Sequence, residues 1–357
     1  MISIIGAGPS GCHLAYLLSK YDDVNVYEEH SEIGKPVQCT GLVTSSIKDH
    51  LKLESKFILN KIKDITVVAP SKQSITFNLK NPNIILDREL FDKHLAEKAI
   101  DNGAKYNLSS RFISYSRNKI SIKTKKITKT KETDLLVGAD GPLSNVAKSA
   151  GLFTNRKFVI GLQARIKLKD INVNELKFFL GYGSFAWIVP ENEFIAKVGV
   201  VSKQNPKMFF NHLLKEVKQK KIIEYNSGII PVYDPNIKIE KGNVFLVGDA
   251  AAQVKATSYG GIIQGLTAAE NLSRAIINEE IYTALCKDLN KELKYGLLIR
   301  NVLDKFSLKD YDDLISLVQD KKTKSIIQSI DRDYPSKMIF KLMLSQPRFL
   351  KFAKKLI

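Results

Sequence analysis

A chain of 357 residues, 44% hydrophobic and 26% charged, has material for two packed cores and the make-up of a soluble folded protein, which excludes a disordered chain. It contains no run of 18 or more apolar residues, so no membrane-spanning helix is expected, and Met1-Ile2-Ser3-Ile4-Ile5 lacks the basic flank and cleavage pattern of a secretion signal. The formal charge of +18 favours anionic partners, either acidic lipid headgroups or an acidic redox protein, over nucleic acid, for which no binding motif is present.

In chain order, Ile2 to Ile5 is a short apolar run suited to a buried parallel strand, and it enters Gly6-Ala7-Gly8-Pro9-Ser10-Gly11. An apolar helical pattern follows at Leu14, Ala15, Leu17 and Leu18, then a second strand from Val24 to Tyr27 ending at Glu28. Ile65–Val68 and Ser74–Phe77 alternate as an antiparallel hairpin would, across Pro70-Ser71-Lys72-Gln73. A helix is expected from Arg88 through Ile100, stopping at Gly103. Residues 111 to 131 carry eight basic residues and no acid and read as an exposed hairpin. Leu135-Leu136-Val137 is a further buried strand, entering Gly138-Ala139-Asp140-Gly141. From Phe158 to Val201 the pattern is strand-rich and aromatic, an expected antiparallel sheet; Val244 to Val247 is a third buried strand, ending in Gly248-Asp249-Ala250-Ala251. Beyond about residue 281 the chain is helical, poor in glycine and rich in lysine.

Parallel-strand segments at both ends flank an antiparallel block. The expected fold is therefore α/β: a discontinuous Rossmann-like nucleotide domain (1–60, 82–157 and 240–280), an inserted antiparallel β-sheet substrate domain (61–81 and 158–239) and a helical C-terminal region (281–357). The cysteines Cys12, Cys39 and Cys286 are odd in number and far apart, which points to a reducing, cytoplasmic setting rather than a disulfide framework.

The first motif follows a strand, opens a helix and precedes an acid 22 positions after Gly6. That is the context a dinucleotide site needs. Gly6 permits the tight turn, Gly8 lets backbone approach a pyrophosphate, Gly11 lets helix and strand pack closely, and Glu28 suits the ribose hydroxyls. Gly181-Tyr182-Gly183 imitates the pattern but leads into a strand, Phe185 to Pro190, so a single dinucleotide site is expected.

Gly6-x-Gly8-Pro9-Ser10-Gly11, Gly138-Ala139-Asp140-Gly141 and Gly248-Asp249-Ala250-Ala251 together resemble the three signatures of the hydroxylase-type flavoprotein fold. Three further segments resemble geranylgeranyl reductases: Pro36-Val37-Gln38-Cys39-Thr40-Gly41, Phe185-Ala186-Trp187-Ile188-Val189-Pro190 with Val198-Gly199-Val200, and Val254 to Ile262. The resemblance covers about residues 1 to 280 and is strongest to the archaeal enzymes that saturate digeranylgeranylglycerophospholipids. It implies bound FAD. The cofactor contacts it implies are the first turn with Pro9 and Ser10, the acids Glu28 and Glu29, and the Cys39-Thr40-Gly41 segment. It adds Arg88, Phe112 and Asp140, the Gly248-Asp249 turn, and Gly260-Gly261-Ile262. Thr40 and Tyr259 stand where family members often carry glycine.

An isolated trisubstituted alkene is not polarised, so its reduction needs an acid on one side, a dry pocket, and reduced flavin on the other. Cys39 and Tyr259 are the candidate catalytic residues; a thiol with an ordinary pKa of about 8.5 is a weak acid for this task, and the alternative for Cys39 is a small buried hydrophobe. Tyr182, Phe185, Trp187 and Pro190 are candidates to line an isoprenoid channel, or equally to form the core of a sheet. No metal ligands are assigned. The expected partners are a polyprenyl lipid substrate, an acidic ferredoxin-like electron donor and an anionic membrane surface. The last is suggested by the basic, apolar stretch from Lys337 to Leu356, which fits either peripheral membrane association or a docked terminal helix. A monooxygenase of the same fold and a flavin-bearing lipid-binding protein without turnover remain as alternatives.

Overall fold

A computed structural model describes residues 1–217 and 221–356. It contains two compact units, one of Met1–Val37, Arg88–Lys157 and Pro231–Lys294, the other of Gln38–Asp87, Phe158–Ile230 and Tyr295–Ile357.

The first unit is built on a six-stranded sheet in the order Glu240–Lys241, Val244–Leu246, Leu135–Gly138, Ile2–Ile5, Val24–Tyr27, Lys105–Asn107. All neighbours are parallel except the edge pair Glu240–Lys241 with Val244–Leu246. Ile2–Ile5 is buried at every position, as an unbroken apolar strand in the middle of a covered parallel sheet should be. Helix Pro9–Leu18 starts with proline at its first turn and packs against helices Arg88–Asp101 and Ile262–Asn278.

The basic segment after residue 110 forms three antiparallel strands, Arg111–Ser116, Lys119–Lys123 and Thr128–Glu132, where a hairpin of two was expected. The third strand is exposed throughout and has no apolar residue, so no alternation marked it; only its backbone pairing with Lys119–Lys123 defines it.

The second unit carries an eight-stranded sheet in the order Lys221–Pro231, Phe158–Lys167, Ile195–Ser202, Phe185–Pro190, Glu175–Phe179, Ile58–Val68, Ser74–Leu86, Leu42–Val43. The run from Phe158–Lys167 to Glu175–Phe179 is antiparallel, as is the expected hairpin across residues 69–73. Glu175–Phe179 and Ile58–Val68 are parallel, so the sheet is mixed. Those two strands are far apart in sequence, and no tight turn dictates their direction. Gly181 and Gly183, at φ of 81° and 61°, form the turn before Phe185–Pro190, in keeping with their reading as a decoy.

Several boundaries differ from the sequence reading: residues 82–87 fall in the second unit, and residues 231–239 and 281–294 in the first. Residues 38–60 lie in the second unit, because Ile58–Val68 is one continuous strand paired along Ser74–Leu86. The helices from Tyr295 onward also belong there, since Ile315 and Val318 share an apolar cluster with Ala69, Ile75 and Phe77. No helix among the described residues is long and apolar enough to cross a membrane.

Candidate functional site

In the first unit the glycine turn separates into positions the fold explains and one it does not. Gly6 has φ of 102°, and a Cβ there would strike the Ala139 carbonyl; at Gly11 it would strike the Gly6 carbonyl. Gly8, at φ −74° and ψ 177°, has a backbone open to any residue, and a Cβ there would meet nothing within 4 Å. Nothing among the described residues requires glycine at Gly8, so the space before it suits a ligand. The helix beginning at Pro9 has no side-chain cap and no acid in its first turn. Its first amides have no partner within the helix and carry the positive end of its dipole, which is the chemistry that holds a phosphate.

The three motif turns meet here. Ala139 closes on Gly6 and Gly11, while Ser10 Oγ occupies the place a side chain at Gly248 or Gly265 would need. The second helix reaching this point, Ile262–Asn278, is also uncapped by a side chain and free of acid in its first turn, with Gly261 as N-cap.

The acids of this unit are oriented by named partners. Glu28 Oε2 accepts the Ala7 N–H at 2.8 Å, and Oε1 accepts the His30 N–H at 3.0 Å and lies 2.6 Å from His30 Nδ1. Asp140 Oδ2 accepts the amides of Asn145 and Val146 at 2.7 and 3.1 Å, at the start of the short helix Asn145–Ser149 that Ser144 caps, while Oδ1 is buried without a partner among the described residues. Burial raises the Asp140 pKa against those hydrogen bonds. The Asp249 carboxyl is pushed up to about 6 by burial, with the Arg88 charge pulling the other way. Arg88 itself makes a paired contact with Asp92, Nε to Oδ1 at 3.0 Å and Nη2 to Oδ2 at 2.8 Å.

The second unit sorts its aromatic residues by strand alternation. Phe178 lies opposite Trp187 in the strand register and packs edge-on against Phe185, and both Phe178 and Trp187 border the apolar cluster of Ile62, Ile65, Ile85, Leu176 and Val189. Phe179 and Tyr182 pack on the other cluster, with Ala186, Val198 and Val200 beneath helix Pro206–Glu216. The face bearing Trp187 is also where the Cys39 segment is tied down. Gln163 Oε1 accepts both the Thr40 hydroxyl at 2.6 Å and the Trp187 indole N–H at 3.3 Å. Lys197 Nζ donates to the Thr40 carbonyl at 3.0 Å and pairs with Glu191 at 3.4 Å, and Glu191 also takes Arg165 Nε at 2.8 Å. Cys39 is half-buried, and its Sγ accepts the Gly41 N–H at 3.3 Å.

A family model described as an NAD(P)-binding Rossmann-like domain matches residues 4–40. Digeranylgeranylglycerophospholipid reductase 3 of Methanosphaera stadtmanae is 31% identical, over 96% of this chain and 97% of that one. The chain belongs to the digeranylgeranylglycerophospholipid reductase family. Among solved structures, a geranylgeranyl bacteriochlorophyll reductase-like protein of Thermoplasma acidophilum matches with a TM-score of 0.86 at 22% identity, over 100% of this chain and 98% of that one. A flavin-dependent brominase matches with a TM-score of 0.73 at 16% identity, over 97% and 98%. Both show the fold.

Within this digeranylgeranylglycerophospholipid reductase-family chain, the remaining sequence-derived positions fall unevenly. Tyr259 has φ of 53°, the left-handed backbone that makes glycine the easier choice there. Its N–H donates to the Lys255 carbonyl at 2.7 Å and the Lys255 N–H to the Gly260 carbonyl at 3.0 Å, closing the loop that precedes Ile262. Gly41, at φ 78°, admits no side chain, because a Cβ would strike the Leu86 carbonyl. Glu29 is exposed, 3.6 Å from Arg111, and Phe112 is buried in the three-stranded sheet. Of the aromatic set, Phe185 and Trp187 share a face, while Tyr182 packs edge-on to His212 beneath the helix and Pro190 alternates onto that opposite side.

Several site residues carried no sequence signal. Arg156 Nη1 donates to the Ala250 carbonyl at 2.7 Å, while its Nε and Nη2 are buried without protein partners. Such orphan donors, with Asp140 Oδ1, fit a site completed by a polar ligand or water. Arg156 lies outside every motif, and Gln163, Glu191 and Lys197 are spaced like ordinary strand residues.

Proposed function

We propose that this chain is an FAD-dependent reductase saturating C=C bonds of geranylgeranyl chains in ether phospholipids. The observation that carries the reading is the convergence of the three motif turns on the open space before Gly8, in a chain of this family. The phosphates of FAD fit the two uncapped helix starts, and the Glu28, Asp140 and Asp249 carboxylates suit its hydroxyls. The cofactor supplies hydride to the alkene when reduced. In the second unit, the face with Phe178, Phe185 and Trp187 offers an apolar wall for a polyprenyl chain, and the Cys39 thiol is held in one orientation by Gly41.

The test is anaerobic addition of a geranylgeranyl lipid to the reduced protein. Reoxidation of the flavin with gain of two hydrogens per bond in the lipid is expected, whereas substrate-dependent oxygen consumption would point to a monooxygenase instead. Cys39→Ala should keep its FAD and slow lipid reduction, by on the order of a hundredfold if the thiol takes part in proton transfer. Unchanged turnover would make Cys39 a packing residue.

We also propose that the protein works on an anionic membrane surface. Helix Pro335–Ser345 and the residues after it expose Phe340, Leu344 and Leu350 at 67%, 69% and 54%, among Lys337, Lys341, Arg348, Lys351 and Lys354. Exposed apolar side chains ringed by cations suit anionic lipid. Sedimentation with phosphatidylglycerol vesicles, but not with phosphatidylcholine vesicles, is expected, and Phe340→Asp should weaken it; equal sedimentation with both would overturn the electrostatic part.

For the electron donor we propose a small acidic redox protein, on the grounds of the +18 charge. Flavin reduction by ferredoxin should slow as salt rises, while reduction by dithionite should change little. Fast, saturable, salt-independent reduction by NADPH would sink this proposal.

A further inference from the structure

We propose that Gln163 and Lys197 are positioning residues that hold the Cys39-Thr40-Gly41 loop on the eight-stranded sheet, an inference that rests on the reductase reading for its consequence but not for its geometry. The loop is fixed at its end by the Gly41 carbonyl, which accepts the Leu86 N–H at 2.9 Å, and by the strand Leu42–Val43. Within the loop Cys39 Sγ accepts the Gly41 N–H, and the side-chain hydrogen bonds that tie the loop to the sheet are made to Thr40, one to its hydroxyl and one to its carbonyl.

Gln163 is 5% exposed and lies across the register from Gly199, which is in turn opposite Trp187. A Cβ at Gly199 would fall within the Trp187 ring, so the glycine lets the indole lie flat across the strand and reach Gln163. An indole N–H only donates, so the Gln163 atom facing it must be the carbonyl oxygen. With that orientation set, the Thr40 hydroxyl must donate to the same oxygen. Gln163 therefore couples the residue after Cys39 to the aromatic wall through one shared acceptor.

Lys197 is the second anchor. It is 6% exposed, and Glu191 beside it is 3% exposed. A charge this deep is retained only when paired and hydrogen-bonded. Glu191 does the pairing, Arg165 supports Glu191 from the neighbouring strand, and a proton of the ammonium is directed to the Thr40 carbonyl. None of these groups is required by the sheet itself, since the opposite face of the same strands is filled with Ala164, Ile166, Val198 and Val200.

The readout is alkylation of Cys39 by iodoacetamide in the FAD-loaded protein without substrate. Cys12 and Cys286 are buried, and burial raises both thiols, Cys286 to about 11, so Cys39 is the thiol that reacts first. Gln163→Leu removes two hydrogen bonds and should speed Cys39 alkylation about fivefold for each bond lost, with kcat falling and KM for the lipid little changed. Gln163→Glu keeps an acceptor for both donors and should restore the parent alkylation rate. Lys197→Met should speed alkylation as well. If Gln163→Leu does not fold, Thr40→Val removes the same hydroxyl bond with little change in volume and carries the same expectation, with Thr40→Ser restoring it. Parent-like alkylation in both Gln163→Leu and Lys197→Met, or in Thr40→Val where it stands in, would overturn the proposal even if turnover fell. Faster alkylation in a protein that reduces no lipid, parent included, would leave the positioning intact and overturn the reductase reading.

Discussion

Gly8→Val is expected to yield a folded protein that has lost its FAD. The backbone at Gly8, φ −74° and ψ 177°, is one a β-branched residue adopts without strain, and its Cβ would meet no protein atom within 4 Å. Exchanging the N-cap residue costs the fold on the order of 1 kcal/mol. On the proposed binding mode, the valine methyls would instead occupy the place where the pyrophosphate meets the amides of the helix that starts at Pro9. Displacing two charge-assisted hydrogen bonds at roughly 1.5–3 kcal/mol each weakens binding by on the order of a hundredfold or more. The comparison with Gly11→Ala is informative, because there a Cβ strikes the Gly6 carbonyl and the fold itself should suffer. Flavin absorbance per protein, read beside the circular dichroism spectrum and a thermal melt, makes the measurement. Stoichiometric FAD in Gly8→Val would mean that the nucleotide binds elsewhere.

Asp249→Asn should make the flavin-free protein more stable at neutral pH while weakening its hold on FAD. Burial pushes the Asp249 carboxyl from an ordinary 3.8 up to about 6. A carboxyl whose folded pKa exceeds its unfolded one binds more protons when folded, so its contribution to stability falls as pH rises between about 4 and 6 and stays unfavourable above that. The full cost is up to about 3 kcal/mol. Asparagine carries no charge and escapes it. Urea melts of the flavin-free proteins should therefore coincide near pH 3.5 and separate above pH 6, with the variant the more stable. The fold gives the carboxylate a special place: Gly261 leaves room for it, since a Cβ there would lie 2.9 Å from Asp249 Oδ1. A costly group retained in such a position is expected to serve a ligand, here the hydroxyls of FAD. If the two flavin-free proteins melt alike at pH 7.5, the carboxyl is not desolvated as described. If Asp249→Asn binds FAD as tightly as the parent, its cost has no function in this site.

Local chemistry was legible in the chain wherever one segment contains its own reason. Ile2–Ile5 reads as a strand because a covered parallel strand needs unbroken apolar residues, and Pro9 marks a helix start because its missing N–H costs nothing there. The turn at Gly6, the hairpin across residues 69–73 and the helix from Arg88 are of the same kind. Family resemblance lay in these segments too, since the signature turns are contiguous. Pairing across long separations was not legible. The parallel join of Glu175–Phe179 to Ile58–Val68, the third strand Thr128–Glu132 and the placement of residues 38–60 in the second unit each depend on backbone partners that no residue type announces. The sequence left open which aromatic residues share a face; the register puts Phe185 and Trp187 on one, while Tyr182, in the turn before their strand, packs on the other. Buried polar partners were the least visible of all. Gln163, Lys197 and Arg156 have no motif, because what makes each matter is a donor or acceptor brought close from a distant segment, and only the tertiary structure supplies that neighbour.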